Sequence, residues 1–340
     1  MTSDAAVQSD PGRVSGLVRG LLRWETGLAV FLVAIIIFGA TSSSEFLTSF
    51  NLFNIGLGAG EVAIMALPMT LIIISGEIDL SVASILGMSS AVLGSLWQHG
   101  WPMPAIFVVL LLVGVVAGAI NGFLVTRVGL PSLAVTIGTL AAYRGVADII
   151  LGPATISNFP SRYLSIGVKP VLGTNLPFSI VLFLVLAVIF GIVLHATPIG
   201  RRIFATGASD EAAWFAGIRV KRLKLLLFVL SGVIASMCGA LWTFRLSTAV
   251  QNNGVGLELS VVATVLLAGV SIFGGKGTIV GVVLAVAVFA TLQNALLLTN
   301  FNQEATGVVT GALLLFSVLV PSSGELVRRL RARRLRFRTA

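Results

Sequence analysis

Two acids stand where an apolar chain tolerates them least. The string Ser75-Gly76-Glu77-Ile78-Asp79-Leu80-Ser81-Val82 divides two long apolar runs and has no basic neighbour in sequence. Carboxylates at membrane depth are costly and mark pathways or paired sites. Gly76 suits a helix break, and Asp79 or Ser81 suits a cap that satisfies N–H groups lipid would leave unpaired. Two readings stand for Asp79: a cap in a tight turn, or a polar break that lines a translocation path or braces a gate. For Glu77 the turn is favoured. A similar string, Leu257-Glu258-Leu259-Ser260-Val261, places Glu258 at an offset of 179 residues from Asp79, with Ser260 matching Ser81. If the two segments run in opposite directions, they are partners in two inverted five-helix halves, an arrangement common in transporters. Chance similarity in a biased composition is the alternative.

Other polar residues sit inside apolar runs. Arg144 and Asp148 are four apart and share one helix face, which favours a self-neutralised pair packing two helices together. Glu61 shows no such partner. Gln293 and Asn294 suit bonds across helices. The glycines Gly114, Gly118 and Gly122 recur every four residues along one face and predict close helix approach.

Covalent chemistry is not indicated. The single cysteine, Cys238, cannot form an internal disulfide, and His99 and His195 stand apart at segment ends as interfacial residues. Neither metal, cofactor nor catalytic residue is expected. The turn Gly274-Gly275-Lys276-Gly277-Thr278 fails the phosphate-loop pattern, with Val270 at the first glycine position and Gly277 in place of Ser or Thr. ATP hydrolysis would therefore fall to a partner.

The elements that must position these residues follow from composition. Of 340 residues 56% are hydrophobic and only 10% charged, against roughly 25% charged in a soluble domain. The fold class is an all-α polytopic membrane protein. A spanning helix needs about 20 apolar residues, which predicts ten spans near 26–44, 55–75, 80–97, 103–126, 131–152, 176–195, 223–246, 258–274, 277–299 and 304–321. The first is read as a retained span rather than a cleaved signal. The net charge of +9 would suggest nucleic acid in a soluble chain, but here it reports orientation. With the N-terminus in the cytoplasm, eighteen of the 22 Lys and Arg lie inside, and only Arg162 and Lys169 lie outside. Both termini are then cytoplasmic, and the basic tail is an anchor near anionic lipid. The organisation is an N-terminal tail (1–24), a permease domain (25–322) and a basic C-terminal tail (323–340). The longest internal cytoplasmic loop spans 196–222.

That loop holds Ser209-Asp210-Glu211-Ala212-Ala213-Trp214-Phe215-Ala216-Gly217. Ser209 or Asp210 is a candidate N-cap and Gly217 a stop, which predicts a helix of about two turns. It either lies on lipid headgroups or docks in a cleft of a cytoplasmic partner.

Glu211-Ala212-Ala213-x-x-x-Gly217 resembles the E-A-A-x-x-x-G signature of ABC importer permeases. Met69-Thr70-Leu71 with the 75–82 string, Thr136-Ile137-Gly138-Thr139-Leu140, Pro198-Ile199-Gly200-Arg201, Gly217-Ile218-x-Val220 and Gly274-Gly275-x-Gly277-Thr278-x-x-Gly281 resemble, in order, the ribose-type sugar permeases. Glu77 and Ala83 depart from the Gly or Ser and the Gly of many members, and the string is similar to the rhamnose-type and autoinducer-sugar branches. The resemblance implies a bacterial inner-membrane permease of an ATP-driven sugar importer. Its implied partners are a cytoplasmic ATPase, a second permease and a periplasmic sugar-binding protein. It further implies that Gly200, Arg201, Glu211, Ala212, Ala213 and Gly217 couple to the ATPase. Glu77, Asp79, Ser81 and Glu258 are the path or gate candidates. An ion-coupled secondary transporter, using Glu61, Asp79 and Asp148, is the alternative.

Overall fold

A computed structural model describes residues 24–171 and 173–299, with 307–309, 311, 312 and 315. The described chain is helical: α1 (Trp24–Ser42), α2 (Ser49–Ile74), α3 (Val82–Gln98), α4 (Met103–Phe123), α5 (Ser132–Leu151), α6 (Ser161–Val168), α7 (Phe178–Ala196), α8 (Pro198–Ala208), α9 (Asp210–Phe215), α10 (Val220–Leu246), α11 (Leu257–Leu267) and α12 (Ile279–Leu298). Local chemistry sets the boundaries. Thr48, Thr197 and Thr278 accept hydrogen bonds from the first-turn N–H groups of α2, α8 and α12. Prolines precede α4, α5, α6 and α7. A π-helical turn (Leu124–Val128) extends α4 and stops at Gly129, φ +86°.

The expectation of ten spans is met only in part. Seven described helices are long and apolar enough to cross a bilayer, and α3 and α11 are shorter apolar helices. The eighth expected span (258–274) is corrected most. Helix α11 stops at Leu267, and Gly269, Gly274, Gly275 and Gly277, all at positive φ, carry irregular backbone to α12. The tenth (304–321) falls mostly outside the described residues, as do both tails.

Contacts between remote segments fix the directions. The Ile74 carbonyl accepts from Gly275 N–H at 2.8 Å, Trp24 Nε1 donates to Leu267 O at 2.8 Å, and Ile78 N–H donates to Ser132 Oγ at 3.2 Å. These bonds gather the starts of α1, α3, α5 and α12 and the ends of α2 and α11 at one end. Arg127, the 198–224 segment and Lys276 lie there too, so this is the basic end. At the far end Asn51 and Asn294 exchange amide bonds at 2.8 and 2.9 Å, as expected for Asn294. Helices α3 and α11 therefore run in opposite directions.

Close packing holds the centre. A Cβ at Gly114 would come within 2.6 Å of Gly232 O. One at Gly118 would strike Phe228 O, and one at Gly122 would meet the Leu225 backbone at 3.0 Å. The glycine face thus seats α4 on α10, as its spacing predicts. Across α3 and α10, Ser89 bonds Ser236 at 2.7 Å and Ser90 bonds Thr243 at 2.7 Å. Helix α2 is buried through most of its length and α1 is peripheral.

Candidate functional site

The break between α2 and α3 is held by hydrogen bonds to α4, α5 and α10. Asp79 is fully buried. Its Oδ1 accepts from Ser81 N at 3.0 Å and Ser81 Oγ at 2.6 Å, and its Oδ2 from Ser231 Oγ of α10 at 2.9 Å. Asn121 of α4 donates to Ser81 Oγ at 2.7 Å, and Tyr143 of α5 donates to Ala117 O at 3.0 Å beside it. Asp79 therefore closes a turn on Ser81, the residue that precedes α3, and among the described residues no side chain caps the first-turn N–H groups of the helix. The Asp79–Ser81 turn, the Ser231 hydroxyl of α10 and the Asn121 amide of α4 thus form one buried hydrogen-bonded node.

Glu77 does more than turn the chain. Lys224, in the first turn of α10 and 7% exposed, bridges Glu77 Oε1 at 2.7 Å and Asp210 Oδ2 at 2.5 Å. Asp210 opens α9. One ammonium thus clasps the break to the loop helix. Backbone contact reinforces it: a Cβ on Gly207, near the end of α8, would strike Ile74 O.

The loop helix forms as its residues predict. Ser209 Oγ accepts from Ala212 N–H at 3.2 Å. Gly217 N–H donates to Trp214 O at 2.9 Å and Ile218 N–H to Ala213 O at 3.0 Å, with Gly217 at φ +82°. This is a Schellman stop. Ala213 faces inward, while Glu211, Ala212, Trp214, Phe215 and Gly217 are exposed. Helix α8, which precedes it, was not anticipated as a separate helix. It folds back tightly on α7, since a Cβ on Gly200 would strike Leu194 O. Arg201 is exposed.

Two intramembrane readings change. Arg144 makes no ion pair with Asp148 within 4 Å. It donates to Asn253 O at 2.5 Å and Ala83 O at 3.1 Å, with the Glu258 and Asp148 carboxylates within Coulombic reach. The carbonyls win because the irregular backbone before α11 buries Asn253, whose carbonyl has no helical partner and needs a donor. Glu61, expected to lack a partner, is 1% exposed and pairs through Oε1 with Arg245 Nε at 3.0 Å. Arg245 also lies 4.4 Å over the Trp242 ring. Glu61 was legible as an intramembrane acid, and Arg245 falls in the expected span 223–246, but nothing local joins the two. Lys224 left no local signal.

A cleft of about 680 Å³ opens between α2, α11 and α12. Its polar lining is Asn54, Trp242, Ser260, Thr264, Gln293 and Asn294, and among the described residues no charged side chain lines it. Glu258, at the first turn of α11, neighbours this wall; Glu77, Asp79 and Ser81 stay at the basic end.

Residues 51–318 match the family model described as branched-chain amino acid transport system / permease component. The chain belongs to this permease family. It is also 32% identical over 303 residues to the autoinducer 2 import system permease protein LsrD of Escherichia coli K12, covering 87% of this chain and 91% of the relative. The LsrD proteins of Shigella flexneri and Escherichia coli O157:H7 match over the same lengths at the same identity. No solved structure matches the chain. Members are permease components, so this chain is a multi-pass transport subunit and not an enzyme. The family description names amino acids and the relatives' name a different cargo, so membership leaves cargo class to the cleft.

Proposed function

We propose that this permease belongs to an ATP-driven importer of a neutral sugar or sugar-derived molecule at the bacterial inner membrane. The observation that carries the cargo class is the cleft between α2, α11 and α12, whose described lining carries no charged side chain. A zwitterionic amino acid brings two charges whose burial without partners costs several kcal/mol each, on the order of the penalty for a desolvated ion. A polyol asks only for hydroxyl and amide partners, such as Asn54 and Ser260 supply. The names of the LsrD relatives agree with this class.

Working partners are a cytoplasmic ATPase, a second permease and a periplasmic binding protein. The basic end faces the cytoplasm, as the positive-inside rule asks. There α9 presents Glu211, Ala212, Trp214 and Phe215 to the ATPase, with Gly217 as its stop and Gly200 and Arg201 in the supporting α8. Lys224 transmits ATPase closure to the Glu77–Ser81 node, so that nucleotide state biases one access state over the other. Asp79 braces the node, and Glu258 stands at the path-facing helix in the opposed half. The antiparallel α3 and α11 support two inverted halves. The ion-coupled alternative is weakly supported, since Glu61 is ion-paired and Asp79 is saturated with hydrogen bonds.

The test is uptake by the reconstituted importer. Labelled sugars should enter with ATP and leucine should not. Glu211→Lys and a bulky residue at Gly217 should each leave ATP hydrolysis but abolish uptake. Leucine uptake would defeat the cargo reading, and normal transport by both variants would defeat the coupling assignment.

A further inference from the structure

Three arginines converge on a second cleft, of about 520 Å³, at the basic end. Arg202 comes from α8, Arg219 precedes α10, and Arg222 lies in its first turn. Leu223 and Leu226 of α10 form the floor, and Gly217 of the α9 stop closes one side. None of the three guanidinium groups has a carboxylate within 4 Å among the described residues. The nearby acids Glu77 and Asp210 are taken by Lys224. Like charges crowded round one opening repel unless an anion sits between them.

The floor says which anion. Positions 219, 222, 223, 226 and 230 follow one stripe of α10. It begins in arginine and continues as leucine toward the span interior, where Leu226 is 54% and Leu230 36% exposed. A free anion would use the arginines and leave the leucines bare. An acidic protein surface could not follow the stripe below the membrane surface. A phosphate head carrying an acyl chain satisfies both halves, and basic clefts beside spanning helices on the cytoplasmic side hold such heads.

We infer that this cleft binds an anionic phospholipid, its phosphodiester between Arg202, Arg219 and Arg222 and an acyl chain along Leu223 and Leu226. Because Gly217 lines the same cleft, the lipid buttresses α9 from the membrane side.

The experiment titrates phosphatidylglycerol against the detergent-purified full chain, with retained lipid counted by native mass spectrometry. Phosphatidylcholine is the neutral comparison. At about 1 kcal/mol per arginine near the surface, each Arg→Gln change should weaken phosphatidylglycerol about fivefold, and the triple change on the order of 100-fold. Arg127→Gln, at the same end but outside the cleft, should leave retention unchanged, and Arg222→Lys should keep most of it. Leu226→Asn should weaken the lipid with all three arginines present. The inference is overturned if the triple variant retains phosphatidylglycerol like the parent. Displacement by millimolar inorganic phosphate, with Leu226→Asn silent, would mean a free-anion site instead. Loss of the co-purifying ATPase with lipid retention intact would mean a protein contact.

Discussion

Replacing Lys224 by Met tests whether the clasp transmits force or only fills space. The change removes one ammonium from two carboxylates. Asp210, 55% exposed at its side chain, returns to water, and its loss is a surface loss of about 0–1 kcal/mol. Glu77 is different: its side chain is 15% exposed and faces a lysine 8% exposed. Stranding a fully buried charge costs about 3–5 kcal/mol, so this partly wetted one should cost about 2–3. At 1.4 kcal/mol per decade that is roughly a 30- to 150-fold shift toward states in which α9 is released from the break. The assay pairs thermal midpoint in detergent with sugar transported per ATP hydrolysed in proteoliposomes. Lys224→Met should lower both, with the ATPase still bound. Adding Glu77→Gln removes the stranded carboxylate, so the midpoint should recover in the double variant. Transport per ATP should stay low, because the link is still missing. If transport recovers together with the midpoint, the clasp is only a stabilising pair. If Lys224→Met transports with full stoichiometry, there is no link to lose.

The remaining expectations are narrower. Gly207→Val would drive a side chain into Ile74 O and should separate α8 from the break, lowering uptake more than it lowers ATPase binding in a pull-down. Arg245→Met should strand Glu61, at a cost of about 3–5 kcal/mol, and Arg245→Met with Glu61→Gln should regain most of the lost thermal midpoint. Gly118→Leu should cost the α4–α10 seat and cut the yield of monodisperse protein on gel filtration, whereas Leu at Gly27, where nothing lies within 4 Å of a Cβ, should not.

What the sequence shows and hides divides by range. Helix α9 was legible because its signals are local: a serine three residues before the N–H it accepts from, and a glycine where the backbone must turn left-handed. The α4 face was legible because glycine at every fourth position needs no knowledge of its partner. Charge asymmetry grouped the basic loops, and they do meet at one end. The pairings of Lys224 with Glu77 and Arg245 with Glu61 span 147 and 184 residues, and no local pattern marks them. Arg144 misled for the opposite reason. The nearby Asp148 offered a ready partner, yet the groups in greater need were backbone carbonyls brought in from far along the chain.

Helix α11 carries that last point further. Its 11 residues rise about 16 Å at 1.5 Å each, roughly half of the ~30 Å hydrocarbon core. Hydropathy reads the same stretch as a full span because apolar residues continue through Val270 and Ile272, but glycine stops the helix first. Irregular backbone then lies on both sides of a short helix at membrane depth, which is tolerated only where protein supplies the missing partners. Here it does. Arg144 takes Asn253 O before the helix, and Trp24 takes Leu267 O at its end. The cleft opens along this helix, on its Leu257, Leu259, Ser260 and Thr264 positions. A segment held at its ends by side chains from α5 and α1, rather than by its own ladder, can shift when those helices shift. That makes α11 the element whose movement would reshape the cleft, and its end is tied through Trp24 to the basic end.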